Sequence, residues 1–155
     1  MLMESHVSDI ARVIQLAVAP VFLLTAVGTI ISALNGRIGR IVDRRRVLDD
    51  RLRVLPPDQD ETAREYLGEL ETLARRSRLI YTAMIFAVLS ALLVCLLVAG
   101  AFLGAFISLD LSEAVGILFV CAMFSLSGAL GILLREVFIA VQVSAQGFLL
   151  RGGPK

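Results

Sequence analysis

The residues of this 155-residue chain best suited to chemistry are arginines at helical spacing. Arg37, Arg40, Arg44 and Arg51 lie three, four and seven apart, which sets them along one side of a helix. Such a stripe suits a membrane surface, and Arg44, Arg45 and Arg46 are candidates to touch anionic lipid headgroups. Turned toward the axis of an oligomer, Arg37 and Arg40 would instead attract anions or repel cations. Upstream, Thr25, Thr29 and Ser32 add a mildly polar stripe to an apolar segment. Together with Arg37 and Arg40 they are candidates to line a narrow wet path. Hydroxyls of this kind also bond back to their own helix.

A second constellation combines charges distant in sequence. Arg37, Arg40, Asp43, Arg75, Arg78, Arg135 and Glu136 all flank the same ends of three apolar segments. Glu136 is the acid beside the third of these ends. A carboxylate left unpaired at the hydrocarbon edge is costly, so it should pair with an arginine of the first or second segment, Arg40 or Arg78 being candidates. A third set consists of small residues. Gly100 and Gly104 form G-x-x-x-G, and Gly128 and Gly131 sit in the run SLSGALG. Small residues let helices approach closely inside lipid, within one chain or between chains.

Other chemistry is sparse. The single histidine, His6, lies in the N-terminal ESHVSD and reads as a solvated residue. Cys95 and Cys121 sit in apolar runs with no metal-ligand or disulfide spacing, and read as small buried residues. No Ser/His/Asp or Cys/His set, phosphate loop or metal cluster is recognisable, so neither enzyme, cofactor nor metal is expected. Nine acids are interspersed among the 11 arginines of residues 35–78, which argues against nucleic acid as a partner.

The elements that position these residues follow from hydropathy. The chain is 57% hydrophobic with mean hydropathy +0.83, and long apolar runs of this kind point to a bilayer. Residues 1–12 read as an outside tail and 13–34 as the first membrane span. Residues 35–78 read as a polar helical hairpin turning at Pro56-Pro57, because a proline pair cannot continue a helix. Asp58 is a plausible cap for the return arm. Residues 79–107 form the second span, 108–113 an outside turn, 114–134 the third span and 135–155 a C-terminal helix and tail.

Gly36 and Gly39 weaken the helix without ending it, so the first span should run as one helix to about Val54. Ile41, Leu48, Leu52 and Leu55 on the outgoing arm can zip against Ala63, Tyr66, Leu70, Leu73, Ser77 and Ile80 on the return arm as an antiparallel coiled hairpin. Asp49/Arg53 and Glu71/Arg75 are i, i+4 pairs that would support the arms. Val137, Val141, Ser144 and Phe148 continue a heptad after the third span.

Eleven of 15 basic residues lie between Arg37 and Arg78. Basic loops stay cytoplasmic, so the hairpin and C-terminus should be cytoplasmic and the N-terminus outside. The outer acids Glu4, Asp9, Asp110 and Glu113 read as solvated caps, or as an acidic mouth if repeated around an oligomer. The expected architecture is an all-α membrane protein with three transmembrane helices and long cytoplasmic helical extensions forming a coiled hairpin.

The stretch IQLAVAPVFLLTAVGTIISALNGRIGRIVDRRRVLDDR resembles the opening of a bacterial membrane protein family, domain of unknown function 2721. RRSRLIYTAMIFAVLSALLVCLL and LFVCAMFSLSGALGILLREVFIA resemble its later blocks. The resemblance implies a three-span protein of the bacterial cytoplasmic membrane and carries no activity to transfer. The expectation from the residues is a small homo-oligomeric membrane protein. It would be a channel or pore lined by the first span, or a non-conducting scaffold whose hairpin docks a partner or organises anionic lipid.

Overall fold

The computed structural model describes residues 2–56, 58–107 and 111–150, with side chains described for 18–56, 58–107 and 111–141. Three helices account for almost all of it: α1 (Leu2–Val54), α2 (Asp60–Ile107) and α3 (Ser112–Leu150). The described residues contain no strand. Each helix is long and apolar enough to cross a membrane; α1 and α2 also carry long charged stretches, and α3 carries Arg135 and Glu136 past its apolar run.

α1 runs through Pro20, Gly36 and Gly39 without a break and ends at Val54. Its first turns include residues 2–12, expected as a tail. The side chains of His6, Glu4 and Asp9 lie outside the described residues, as does Asp110. The helix stops where the proline pair removes two backbone donors. Leu55 donates to the Leu52 carbonyl and Gln59 to the Pro56 carbonyl, closing the reversal. The Gln59 carbonyl then accepts the Ala63 N–H, so Gln59 rather than Asp58 occupies the position from which α2 starts. Asp60 and Glu61 in the first turn suit the positive end of the helix dipole. α3 starts in the same way, with Val115 donating to the Leu111 carbonyl.

The chain divides into two compact units. Met1–Ser32 and Ile85–Ala129 make the first, and Ala33–Met84 with Leu130–Lys155 the second. In the first unit Val27, Ala87 and Ala129 form a buried cluster, with Ile31, Ala91 and Leu126 packed against it. Two hydroxyls tie α2 to α3 there. Ser90 donates to the Ala122 carbonyl at 2.9 Å, and Ser125 donates to the Phe86 carbonyl at 2.8 Å. In the second unit Leu34, Ile41, Leu48, Leu73, Ile80 and Ala83 are buried.

Among the described residues, every buried one except Ser125 falls on a seven-residue repeat. On α1 these are Pro20, Val27, Leu34, Ile41 and Leu48. On α2 they are Leu73, Ile80, Ala87 and Val94, interleaved with Ala83, Ser90 and Leu97; on α3, Ala122, Ala129 and Glu136, with Ser125. Such a repeat keeps one narrow seam of each helix facing its neighbours. Of the hairpin stripes read from sequence, Ile41, Leu48, Leu73 and Ile80 are buried, and Leu52, Leu55, Ala63, Tyr66, Leu70 and Ser77 are half-buried. The stripe expected after the third span differs. Val141 is exposed and Val137 half-buried, because the seam of α3 passes through Glu136 instead. Ser144 and Phe148 lie outside the described side chains.

Outside the seams, α2 and α3 present large apolar side chains along the spans, among them Ile85, Leu92, Leu103, Ile117 and Phe124. Cys95 and Cys121, expected to be buried, belong to this outward surface. Neither lies on a repeat, so the geometry that buries Val94 and Ala122 turns them away.

Candidate functional site

The most concentrated chemistry lies in the second unit, around Glu136. Counting by sevens along α3 from Ala122 and Ala129 puts a carboxylate at a core position. Its side chain is 1% exposed, and both oxygens are engaged. Arg37 of α1 donates through Nη1 to Oε2 at 2.7 Å. Arg76 of α2 donates to Oε1 through Nη2 at 2.8 Å and through Nε at 3.3 Å. Arg76 lies seven residues before Ala83 and points inward for the same reason as Glu136. Charge-assisted bonds of this length are the strong kind, and they offset the cost of taking a carboxylate out of water. The two arginine side chains stay 32% and 22% exposed, so both keep some access to the surface. One carboxylate thereby ties three helices together.

Farther from the spans, Arg44 grips Glu69 with two parallel bonds, Nε to Oε1 at 2.7 Å and Nη2 to Oε2 at 2.9 Å. This forked pair joins the outgoing and returning arms. The bond from Arg44, opposed by partial burial, holds the Glu69 carboxyl below its ordinary range, and the same pair raises Arg44. Arg45 lies 3.9 Å from Asp49, a looser contact within α1. That pair replaces the expected Asp49/Arg53, and Glu71/Arg75 does not form.

The expected stripe of four arginines therefore separates. Arg37 and Arg44 turn to carboxylates of neighbouring helices, whereas Arg40 is exposed and makes no ion pair with a described residue. The charge layer likewise differs in membership. Glu136 takes Arg37 and Arg76, not Arg40 or Arg78, while Arg75, Arg78, Arg135 and Asp43 remain exposed. The sequence reading passed over Arg76 and Ser90. Each lies seven residues before a buried residue, Ala83 and Leu97 respectively, but the sequence carries no signal that marks those two as the packed side of α2.

In the first unit, Thr25 donates to the Val21 carbonyl at 3.4 Å and Thr29 to the Thr25 carbonyl at 3.0 Å. Both threonines and Ser32 lie on the exposed face of α1. Gly128 faces the Phe86 ring, where an added Cβ would sit 3.3 Å from the nearest carbon. Gly100 lies beside Val115, and an added Cβ would meet its Cγ2 at 3.7 Å, an ordinary van der Waals contact. Gly131 has nothing within 4 Å of such a Cβ, and Gly104 is half-buried. Among the described residues no His, Cys, Asp or Glu side chains converge as a metal site.

Three apolar helices, held by inward seams and outwardly apolar along the spans, define an all-α multi-pass membrane protein. A family model covers residues 17–145, and the chain belongs to that family, described as protein of unknown function DUF2721. No curated protein and no solved structure matches the chain.

Proposed function

We propose that the chain is the subunit of a homo-oligomeric, channel-like membrane assembly with α1 nearest the axis. One observation carries this reading. Between Phe22 and Val47, α1 leaves no large apolar side chain exposed, whereas α2 and α3 expose them throughout their spans. A helix face bathed in acyl chains has no reason to be small and polar; a face meeting other helices or water does. Thr25, Thr29, Ser32, Gly36 and Gly39 alternate four and three apart on that face, opposite the buried Val27–Leu34–Ile41 seam. Asp43 is next in the series. Arg40 lies to one side, and Arg37 is already engaged by Glu136. The path-facing set on this reading is Thr25, Thr29 and Ser32 with the two glycines.

The arginine-rich hairpin sits on the cytoplasmic side of a bacterial inner membrane in this proposal, following the positive-inside rule. Its arms pack as a short coiled coil braced by α3. Mass photometry of the protein in lipid nanodiscs, combined with bilayer recording, tests the reading. A defined oligomer that conducts, and that loses conductance in Ser32→Leu, is the expected result. A monomeric particle would sink it.

A non-conducting scaffold is the second reading. It is favoured by the forked Arg44–Glu69 clamp, which stiffens a hairpin whose Val54 and Leu67 are exposed. A stoichiometric partner captured by the full-length protein and lost in Leu67→Glu would support it over the pore.

A further inference from the structure

We infer that the outward face of α2 at Arg75, Arg78 and Tyr81 is a binding site for the headgroup of an anionic phospholipid. The inference depends on the membrane reading but not on whether the chain conducts. It starts from a charge imbalance within the second unit. At the level of Glu136 one carboxylate is shared by Arg37 and Arg76, which leaves a positive charge in excess. Arg40, Arg75, Arg78 and Arg135 lie within about one helical turn of these residues, and all four are exposed without an ion pair to a described residue. Glu71, four residues before Arg75, does not neutralise it. The nearby exposed acid on α1, Asp43, makes no ion pair either.

The arginines needing a counter-charge are not spread evenly. Arg75 and Arg78 are three apart on one face of α2, and Tyr81 follows after three more, 53% exposed. Past Tyr81 the sequence of α2 turns apolar. Read along the helix, this is two guanidiniums, a phenol and then hydrocarbon. A phospholipid presents the same order: a phosphodiester, an interfacial glycerol and acyl chains. Tyrosine favours the interfacial level, and arginine donors match phosphate oxygens. A free phosphate ion would satisfy the arginines but has no use for the tyrosine and the apolar continuation, so the site is assigned to lipid. Of the candidates Arg44, Arg45 and Arg46 for headgroup contact, Arg44 and Arg45 already face Glu69 and Asp49, and Arg46, exposed and without an ion pair to a described residue, lies about 18 Å along the helix beyond Leu34.

Native mass spectrometry of the full-length protein released from detergent micelles tests the site, with phosphatidylglycerol and phosphatidylcholine titrated in parallel. Each basic side chain at a membrane surface strengthens anionic binding by about fivefold. Wild type should retain phosphatidylglycerol over phosphatidylcholine, and R75Q/R78Q should weaken that retention by about 30-fold. R45Q/R46Q should behave as wild type. The proposal is overturned if the two lipids are retained equally, or if R75Q/R78Q leaves phosphatidylglycerol binding intact. It is equally overturned if R45Q/R46Q weakens binding as much, or if millimolar inorganic phosphate displaces the lipid.

Discussion

Glu136 is the side chain whose replacement has the sharpest consequence. Removing its carboxylate leaves Arg37 and Arg76 facing each other without an acceptor. Breaking a fully buried ion pair costs about 3–5 kcal/mol. Here both guanidiniums retain access to solvent and can turn outward, so Glu136→Ala should cost about 1–3 kcal/mol. Glu136→Gln, which keeps one acceptor oxygen and the shape, should cost less than Glu136→Ala. Thermal melting in detergent orders the two. The hydroxyls of Ser90 and Ser125 make a smaller test. Each bonds a carbonyl of the facing helix, and side-chain hydrogen bonds inside membrane proteins average about 0.6 kcal/mol. Ser90→Ala and Ser125→Ala should each lower the melting temperature slightly, since alanine fills the same close contact.

At the scale of elements, the hairpin responds to acid. Glu69 has its carboxyl held below the ordinary value of 4.5 by Arg44. The contribution of this pair to stability is therefore fully present above that value and is lost as pH falls through the depressed folded value. Because both partners are more than a third exposed, the effect is small. The expected signature is a modest drop in melting temperature below pH 4.5 that shrinks in Glu69→Gln. The α2–α3 contact makes a steric prediction. Gly128→Ala must shift the Phe86 ring by a few tenths of an ångström, whereas the Cβ of Gly131→Ala meets nothing within 4 Å; only the first should lose packing stability, by about 1 kcal/mol on the same melting assay.

Much of the architecture could be read before any coordinates. Hydropathy marks the three spans, the proline pair marks the reversal, and weak glycines let α1 reach Val54. Less legible was which arginine meets Glu136. Arg75, Arg76 and Arg78 are chemically alike, and only the rotation of α2, fixed by its buried Leu73, Ile80 and Ala83, selects Arg76. The outward turn of Cys95 and Cys121 was illegible for a related reason. An apolar run in a membrane helix has no polar face to show which side is packed.

For the whole molecule, the orientation proposal yields a labelling prediction. A cysteine introduced at Asp58, at the tip of the hairpin, should react with a charged maleimide in inside-out vesicles and stay unreactive in intact cells. Cys95 and Cys121 should resist that reagent in both preparations and yield to a membrane-soluble one, since they are exposed only toward the outward apolar surface. Labelling of position 58 from outside would invert the topology. The seven-residue repeats also restrict how this architecture can change length. One residue inserted in α1 between Arg37 and Ile41 would rotate everything after it by about 100°, carrying Arg44 away from Glu69 while Arg37 kept its carboxylate. Two full turns, seven residues, would restore the phase. Insertions and deletions in this stretch should therefore be tolerated only in steps of seven, matched on the returning helix.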